Sequence, residues 1–185
     1  MDAVSLASLW LPIVLSAVAV FVLSSLVWMV FPWHKKDYRG VPNEPRAREA
    51  LRDAAPGMYI IPYCADRKDM QKPEHSKKLE EGPVAWLIVM PKGQPGMSRM
   101  MVLWFLWAVV VSFTAAYLAS ETLPAGVEYL KVFQVVGVTA WLAYSWAHVA
   151  DGVWFGRPWG NVATHLFDGL LYALVTAGFF GWLWP

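Results

Sequence analysis

Four long runs that are free or nearly free of charge constrain this chain of 185 residues more than any other feature. They cover residues 3–33, 100–120, 132–150 and 161–184, and only the last contains a charged residue, Asp168. An α-helix rises about 1.5 Å per residue, so about 20 apolar residues cross a hydrocarbon core. Because backbone groups in lipid must bond within their own segment, each run is predicted to be a helix. The predicted fold class is an all-α membrane protein, a bundle of four transmembrane helices.

The composition supports a membrane class. Hydrophobic residues make up 57% of the chain, charged residues only 16%, and there are 12 tryptophans, well away from the average of soluble domains. The lipid bilayer is therefore a predicted partner of this chain, whatever its function. No nucleic-acid partner is predicted.

The first run is predicted to be an uncleaved anchor rather than a signal peptide. The segment before it, "MDAVS", is acidic instead of basic, and the apolar core is longer than the usual 7–15 residues. No small-residue cleavage site follows it. Transmembrane helix 1 is therefore assigned to residues 1–33.

The basic residues predict the orientation. Of the 15 Lys and Arg residues, 13 lie between Trp33 and Met100. Arg157 lies in the turn between the third and fourth runs, and Lys131 is alone on the opposite side. The positive-inside bias places residues 34–99 and 151–160 in the cytoplasm of a bacterial cell and residues 121–131 outside. With spans at 100–120, 132–150 and 161–185, both termini lie outside the inner membrane.

The cytoplasmic insertion, residues 34–99, is predicted to be small and mixed α/β. "NEPRAREALRDAAPG" indicates a short helix with Asn43 as N-cap, and "MYIIPY" and "PVAWLIVMP" indicate strands. A domain this short is marginal by itself, which favours support from the membrane or a partner. Lys35, Lys36 and Arg39 either bind anionic lipid headgroups or only fix the topology.

Small residues recur every four positions in two of the runs. The second run has Ala108, Ser112, Ala116 and Ser120, and the fourth has Gly169, Ala173, Ala177 and Gly181. In lipid, such ridges mark close contacts between helices. They predict either a compact bundle or a homodimer face.

One pattern, His-x-x-Asp-Gly, occurs twice, at 148–152 and 165–169. Residues three apart share a helix face, and the two runs are antiparallel, so His148 is predicted to pair with Asp168 and Asp151 with His165. Tyr172 extends the polar stripe of Asp168 by one helical turn. These five residues form the predicted polar cluster inside the membrane.

Three function classes follow from that cluster. A divalent metal or a haem would use His148, His165 and Asp168 as ligands, whereas Cys64 and His75 lack zinc-site spacing. A proton or small-ion pathway would be centred on Asp168, because an ionisable residue in a span is a functional site by default. The favoured class is a non-catalytic accessory, assembly or scaffold component that binds a protein partner or a second copy, since no familiar catalytic motif is present.

The C-terminal half also carries a resemblance. "VFQVVGVTAWLAYSW", "VWFGRPWG" and "FDGLLYALVTAGFFGWLWP", with "GPVAWLIVMPKG" ahead of the second run, resemble a group of small uncharacterised bacterial inner-membrane proteins. The likeness covers most of residues 82–185 and extends to "PWHKKDYRG". It implies a four-span bacterial protein and carries no activity or site.

The topology is testable with reporter fusions. A reporter that works only outside the cytoplasm should be active when fused after Pro185 and silent when fused at Lys72, because the basic segment stays inside. Activity measured in intact cells decides between the two orientations. The reverse pattern would overturn the predicted orientation.

Overall fold

Seven α-helices and one two-stranded sheet form the regular structure of residues 3–185, the part of the chain that this computed structural model describes. Met1 and Asp2, which belong to the predicted first span, lie outside the described residues. The helices are α1 (Trp10–Met29), α2 (Glu44–Ala50), α3 (Pro73–Glu81), α4 (Met97–Thr122), α5 (Tyr129–Ser145), α6 (Ala147–Phe155) and α7 (Trp159–Trp182). The strands are β1 (Gly57–Ile61) and β2 (Ala85–Val89).

The chain divides into two compact units. The helical unit contains the described residues up to Tyr38 together with Gly96–Pro185, and the insertion unit contains Arg39–Pro95. The insertion unit is therefore shorter at both ends than the predicted insertion of residues 34–99. Residues 34–38 belong with the helices, because His34 hydrogen-bonds Asp168 of α7.

Three helices in the described range are long and apolar enough to cross a membrane. They are Leu6–Met29, which joins a 3₁₀ turn to α1, then Met97–Thr122 and Trp159–Trp182. Their lengths of 24, 26 and 24 residues exceed the roughly 20 that a hydrocarbon core requires. The first, second and fourth predicted runs are thus confirmed as helices of membrane-spanning length.

The third predicted run, residues 132–150, is not one continuous helix. It is divided between α5, which has 17 residues, and α6, which has 9, with Trp146 at the break. Ser145 Oγ donates a hydrogen bond back to the carbonyl oxygen of Trp141 at 2.8 Å, a contact that bends helices. Four spanning helices are therefore not confirmed by length.

Both small-residue ridges are used inside the helical unit. Ala108, Ser112 and Ala116 of α4 are fully buried, and Ala173 and Ala177 of α7 are at most 1% exposed. The ridges were predicted to form either a compact bundle or a homodimer face. Because they are buried within one copy of the chain, they pack the bundle and are not free to form a homodimer face.

Hydrogen bonds between side chains join α1 to α4 along the first ridge. Ser16 Oγ donates to Ser112 Oγ at 3.0 Å, and Trp104 Nε1 donates to Ser24 Oγ at 2.8 Å. Small hydroxyl residues thus provide both close approach and polar contacts between spans.

Helices α5 and α7 approach each other closely at two glycines. A Cβ atom placed on Gly169 would lie 2.4 Å from Cβ of Ser145, and one on Gly137 would lie 3.4 Å from Cβ of Ala177. Only glycine fits at Gly169 without displacing the α5 backbone. This contact lies beside the break at Trp146.

The end of the helical unit that carries the C-terminus is apolar and closed. Leu9, Val132, Val136 and Phe180 are fully buried in one hydrophobic cluster there. Trp184 Nε1 donates to the carbonyl oxygen of Pro124 at 3.0 Å, which ties the last residues to the α4–α5 loop.

The insertion unit has the predicted mixed architecture. Strands β1 and β2 pair antiparallel, from Gly57 opposite Val89 to Ile61 opposite Ala85. Asn43 precedes α2 as expected, but in the left-handed conformation and without a side-chain capping hydrogen bond. All residues of this unit are described, and none is fully buried. It therefore has no core of its own in the usual sense.

Replacing Gly169 with Ala tests the α5–α7 contact. We expect a lower melting temperature in mild detergent, because overpacking costs about 1–3 kcal/mol. Gly178→Ala is the matched control, since its added Cβ meets nothing nearer than 3.9 Å. Melting followed by circular dichroism should separate the two variants, and equal melting would show that the contact between Gly169 and Ser145 is not close.

Candidate functional site

Asp168 is the buried carboxylate around which the polar residues of the helical unit gather. It lies in α7 and is only 2% exposed. Trp33 Nε1 donates to its Oδ1 at 3.0 Å, and Nε2 of His34 lies 2.8 Å from its Oδ2. Each carboxylate oxygen therefore has a partner from the segment that follows α1.

A short turn delivers these two partners. Helix α1 ends at Met29, and Pro32 precedes a 3₁₀ turn at Trp33–Lys36, with Lys35 N–H donating to the Pro32 carbonyl at 3.1 Å. Proline presets the backbone angle that begins such a turn. The turn directs Trp33 and His34 toward α7, which is why residues 34–38 belong to the helical unit.

His34 also bonds a second carboxylate. Its Nδ1 lies 2.6 Å from Oδ2 of Asp37, and the side chain of His34 is 6% exposed. Burial alone would raise the pKa of Asp37, but hydrogen bonds from His34 and Asn161 outweigh it, so this pKa lies below its ordinary value. Asp37 is accordingly ionised at neutral pH. We call Asp37, His34 and Asp168 the Asp–His–Asp triad.

The triad has a fixed proton count. Two hydrogen bonds need two protons, and an ionised carboxylate can only accept. The proton between His34 and Asp37 lies on Nδ1, whereas the proton between His34 and Asp168 lies either on Nε2 or on Oδ2. In both arrangements the triad carries a net charge of minus one. The second hydrogen bond is thus a position where a proton can transfer over 2.8 Å.

A second polar group, the Arg157 cluster, consists of Arg157, His148, His165 and Asp151. Arg157 donates from Nη1 to Nδ1 of His148 and to Oδ2 of Asp151, the latter at 3.2 Å, and from Nη2 to Nε2 of His165 at 3.3 Å. A guanidinium has donors only, so both imidazole nitrogens must accept. His148 and His165 are therefore neutral in this arrangement.

The triad and the Arg157 cluster are adjacent. Asn161 joins them, because its Oδ1 accepts from Nε of Arg157 at 2.5 Å while its amide contacts Asp37. The ring of His165 lies 5.7 Å from that of His34 and 4.3 Å from that of His148, measured between centroids. Trp28 stacks on His34 at 4.0 Å with the two planes 5° apart.

A cavity of about 460 Å³ lies beside these groups in the helical unit. Such a volume falls in the range of small-molecule sites, about 300–1,000 Å³. Its apolar walls include Phe21, Trp28, Trp104 and four methionines, Met29, Met97, Met100 and Met101. Its polar wall consists of Ser24, Ser25, Tyr144, His148, His165, Asp168 and Tyr172. An apolar pocket with a few convergent polar groups is typical of a ligand site.

Two tyrosine hydroxyls in that wall have no hydrogen bond of standard geometry among the described residues. They belong to Tyr144 and to Tyr172, which is 4% exposed. Thr176 lies near the hydroxyl of Tyr144, and Trp28 lies near that of Tyr172, but neither arrangement has the geometry of a hydrogen bond. A buried hydroxyl without a partner costs about 1–3 kcal/mol, so each one indicates a further role.

The structure corrects the predicted pairing within the polar cluster. His148 does not bond Asp168, because Arg157 engages His148 and the turn after α1 delivers His34 to Asp168 instead. Nor does Tyr172 bond Asp168, since its hydroxyl has no partner. All five predicted residues are nevertheless close to one another or to the cavity.

Sequence reasoning missed Trp33, His34, Asp37 and Arg157 as members of the site. One signal was present in the printed sequence: "HKKD" at 34–37 is a third His-x-x-Asp. It lacks the following glycine and lies in a basic segment, which concealed the likeness. Lys35 and Lys36 of the same segment are exposed, and their predicted lipid contact stays a prediction.

The predicted metal ligands are not gathered around one point. Within residues 3–185, no three His, Cys, Asp or Glu side chains are placed to hold a metal ion. The nitrogens of His148 and His165 that contact Arg157 accept from its guanidinium, whose positive charge disfavours a cation there. The use of His148, His165 and Asp168 as metal or haem ligands stays a prediction.

Comparison with known proteins adds no relative. No family model, no curated protein and no solved structure matches the chain.

Two substitutions at Asp168 separate hydrogen bonding from charge. Asp168→Asn keeps both contacts, because the amide accepts from Trp33 and donates to a neutral His34. Asp168→Ala leaves Trp33 and His34 without this hydrogen-bond partner, and each loss costs about 1–3 kcal/mol of unfolding free energy. We expect thermal unfolding in detergent to show a large loss for Ala and a change within about 1 kcal/mol for Asn. Equal losses would contradict the observed hydrogen bonds.

Proposed function

We propose that the protein crosses a bacterial inner membrane four times, with α5 and α6 together forming the third crossing and both termini outside. Three helices already have the length and apolar character of spans. The distribution of basic residues and the resemblance to small bacterial inner-membrane proteins support the orientation and the location. In this topology the Asp–His–Asp triad and the Arg157 cluster lie at the cytoplasmic end of the bundle.

Within that topology, we propose that the protein is a proton-linked binding protein for a small molecule. The observation that carries the proposal is the engagement of both His34 nitrogens by carboxylates, beside a cavity that Asp168 also lines. Intramembrane ionisable residues are costly, about 2.5–3.5 kcal/mol on insertion scales, and are by default functional. The triad offers a group whose charge changes with one proton at the wall of a pocket.

The triad changes charge from minus one to zero when it takes up one further proton. The added proton breaks the pattern in which His34 donates to one carboxylate and shares a proton with the other. Any ligand whose binding depends on the negative charge of Asp168 is thereby linked to proton uptake. His34 is the central member because it alone contacts both carboxylates.

The same geometry favours a one-sided site over a continuous proton pathway. The opposite end of the bundle is filled by apolar side chains, among them Leu9, Ile13, Val136 and Phe180. Residues 177–185, which include the remainder of α7 beyond Thr176, read "AGFFGWLWP" and have no ionisable side chain. Protons would therefore enter and leave the triad from the end that carries Arg157.

A second candidate function, the accessory or scaffold role, has its own support in the insertion unit. Both faces of its two-stranded sheet carry apolar side chains, and Met58 and Ile88 are 69% and 75% exposed. An exposed apolar sheet of two strands is marginal by itself and favours docking to a partner, a second copy or the membrane. This role is compatible with ligand binding in the helical unit.

The proton linkage is testable by histidine nitrogen NMR. In protein labelled with ¹⁵N-histidine in mild detergent at neutral pH, we expect the His34 Nε2 signal of the wild type to differ from that of Asp168→Asn, because the variant replaces the carboxylate that shares a proton with Nε2 over 2.8 Å.

Asp151→Asn is the control for this comparison. Asp151 bonds Arg157 rather than His34, so its loss should change the His34 Nε2 signal much less. Identical His34 signals in the wild type and in Asp168→Asn would show that no proton is shared with Asp168 and overturn the proposal.

A further inference from the structure

We propose that the cavity beside Asp168 binds an amphipathic organic cation. This assignment rests on the proposed function and gives it a ligand class. It combines three independent features of the helical unit: the net charge of the polar groups, the aromatic and thioether walls, and two tyrosine hydroxyls without partners.

The charge of the polar wall favours a cation. The triad carries minus one, while Arg157 is balanced by Asp151 at 3.2 Å and the two histidines that contact Arg157 are neutral. One negative charge therefore remains uncompensated next to the cavity. A buried charge without a counter-charge is costly, and a cationic ligand in contact with Asp168 provides one.

The walls suit the apolar part of such a ligand. Trp28, Trp104 and Tyr172 present aromatic rings, and aromatic faces attract organic cations, most strongly where water is excluded. Met97, Met100 and Met101 add flexible thioether side chains that adapt to irregular shapes. Neither feature favours an anion.

Two tyrosines of the cavity lining offer further polar contacts. Tyr172 is only 4% exposed, and its hydroxyl is buried without a hydrogen-bond partner, as is that of Tyr144. A phenol oxygen accepts a hydrogen bond from an ammonium group as well as donating one. We place the polar end of the ligand beside these two residues and Asp168.

Proton uptake opposes this binding. The groups that face the triad are His165 of α7, His148 of α6, Arg157 of the following turn, and the two tyrosines. On acidification, protons added to the triad or to either histidine make the site more positive. Each of these steps weakens binding of a cation, so affinity falls as the pH is lowered.

Tetraphenylphosphonium and tetraphenylborate test the assignment, because they have nearly the same shape and opposite charge. Binding to purified full-length protein in mild detergent is measured by tryptophan fluorescence at pH 8 and pH 5.5. We expect saturable binding of the phosphonium at pH 8, about tenfold or more tighter than that of the borate, and weaker at pH 5.5.

Asp168→Asn and Asp53→Asn form the matched pair of variants. Both remove one negative charge, but Asp53 is an exposed residue of the insertion unit. Only Asp168→Asn should weaken phosphonium binding, by about tenfold or more. Displacement of the phosphonium by a short-chain phosphatidylethanolamine would identify the natural cation as a lipid headgroup, and no displacement would identify it as a free cation; both results support the assignment.

Equal affinity for the two tetraphenyl ions, unchanged by Asp168→Asn, would show apolar partition only and overturn the cation assignment. The proposed function would survive that result if the His34 Nε2 signal still changed in Asp168→Asn. A signal that does not change, together with selective phosphonium binding, would instead overturn the proton linkage alone.

Discussion

The arrangement of the helical unit depends on how one buried carboxylate is satisfied. Asp168 is 2% exposed in an apolar helix, where an ionisable group without partners would not be tolerated. Its partners come from more than 130 positions away, through Trp33 Nε1 at 3.0 Å and His34 Nε2 at 2.8 Å. These two bonds hold the turn after α1 against α7. They also explain why the chain stays with the bundle until Tyr38 before the insertion unit begins.

A steric constraint positions the second half of the site. The missing side chain at Gly169 lets α5 approach α7 until Ser145 occupies the space of a Cβ atom. The helix is interrupted one residue later, at Trp146, and α6 begins at Ala147. His148 of α6 contacts Arg157, whereas Asp168, the neighbour of Gly169 in α7, contacts His34.

The sequence predicted what depends on local composition and missed what depends on long-range contact. Of the four helices that the charge-free runs predicted, three are long apolar helices; the small-residue ridges predicted buried contacts such as Ala108 and Ala177, and Gly and Pro bounded both strands of the insertion unit. Asp168 was predicted as central, but its partner was assigned as His148 by assuming one continuous third helix. The interruption at Trp146 and the turn after Pro32 are features that periodicity does not report. Residue type alone, a third His-x-x-Asp at 34–37, was the remaining clue.

The polar and apolar ends of the bundle explain why a buried histidine is needed rather than a single carboxylate. At the apolar end, Leu9, Val136 and Phe180 are fully buried in one hydrophobic cluster. A lone Asp168 would be either charged at high cost or neutral and inert. His34 lets it share a proton with Asp37, whose hydrogen bonds keep it ionised, and Asn161 extends the network to Arg157. The charge beside the cavity is thereby held in a network that reaches the polar end, where protons are available.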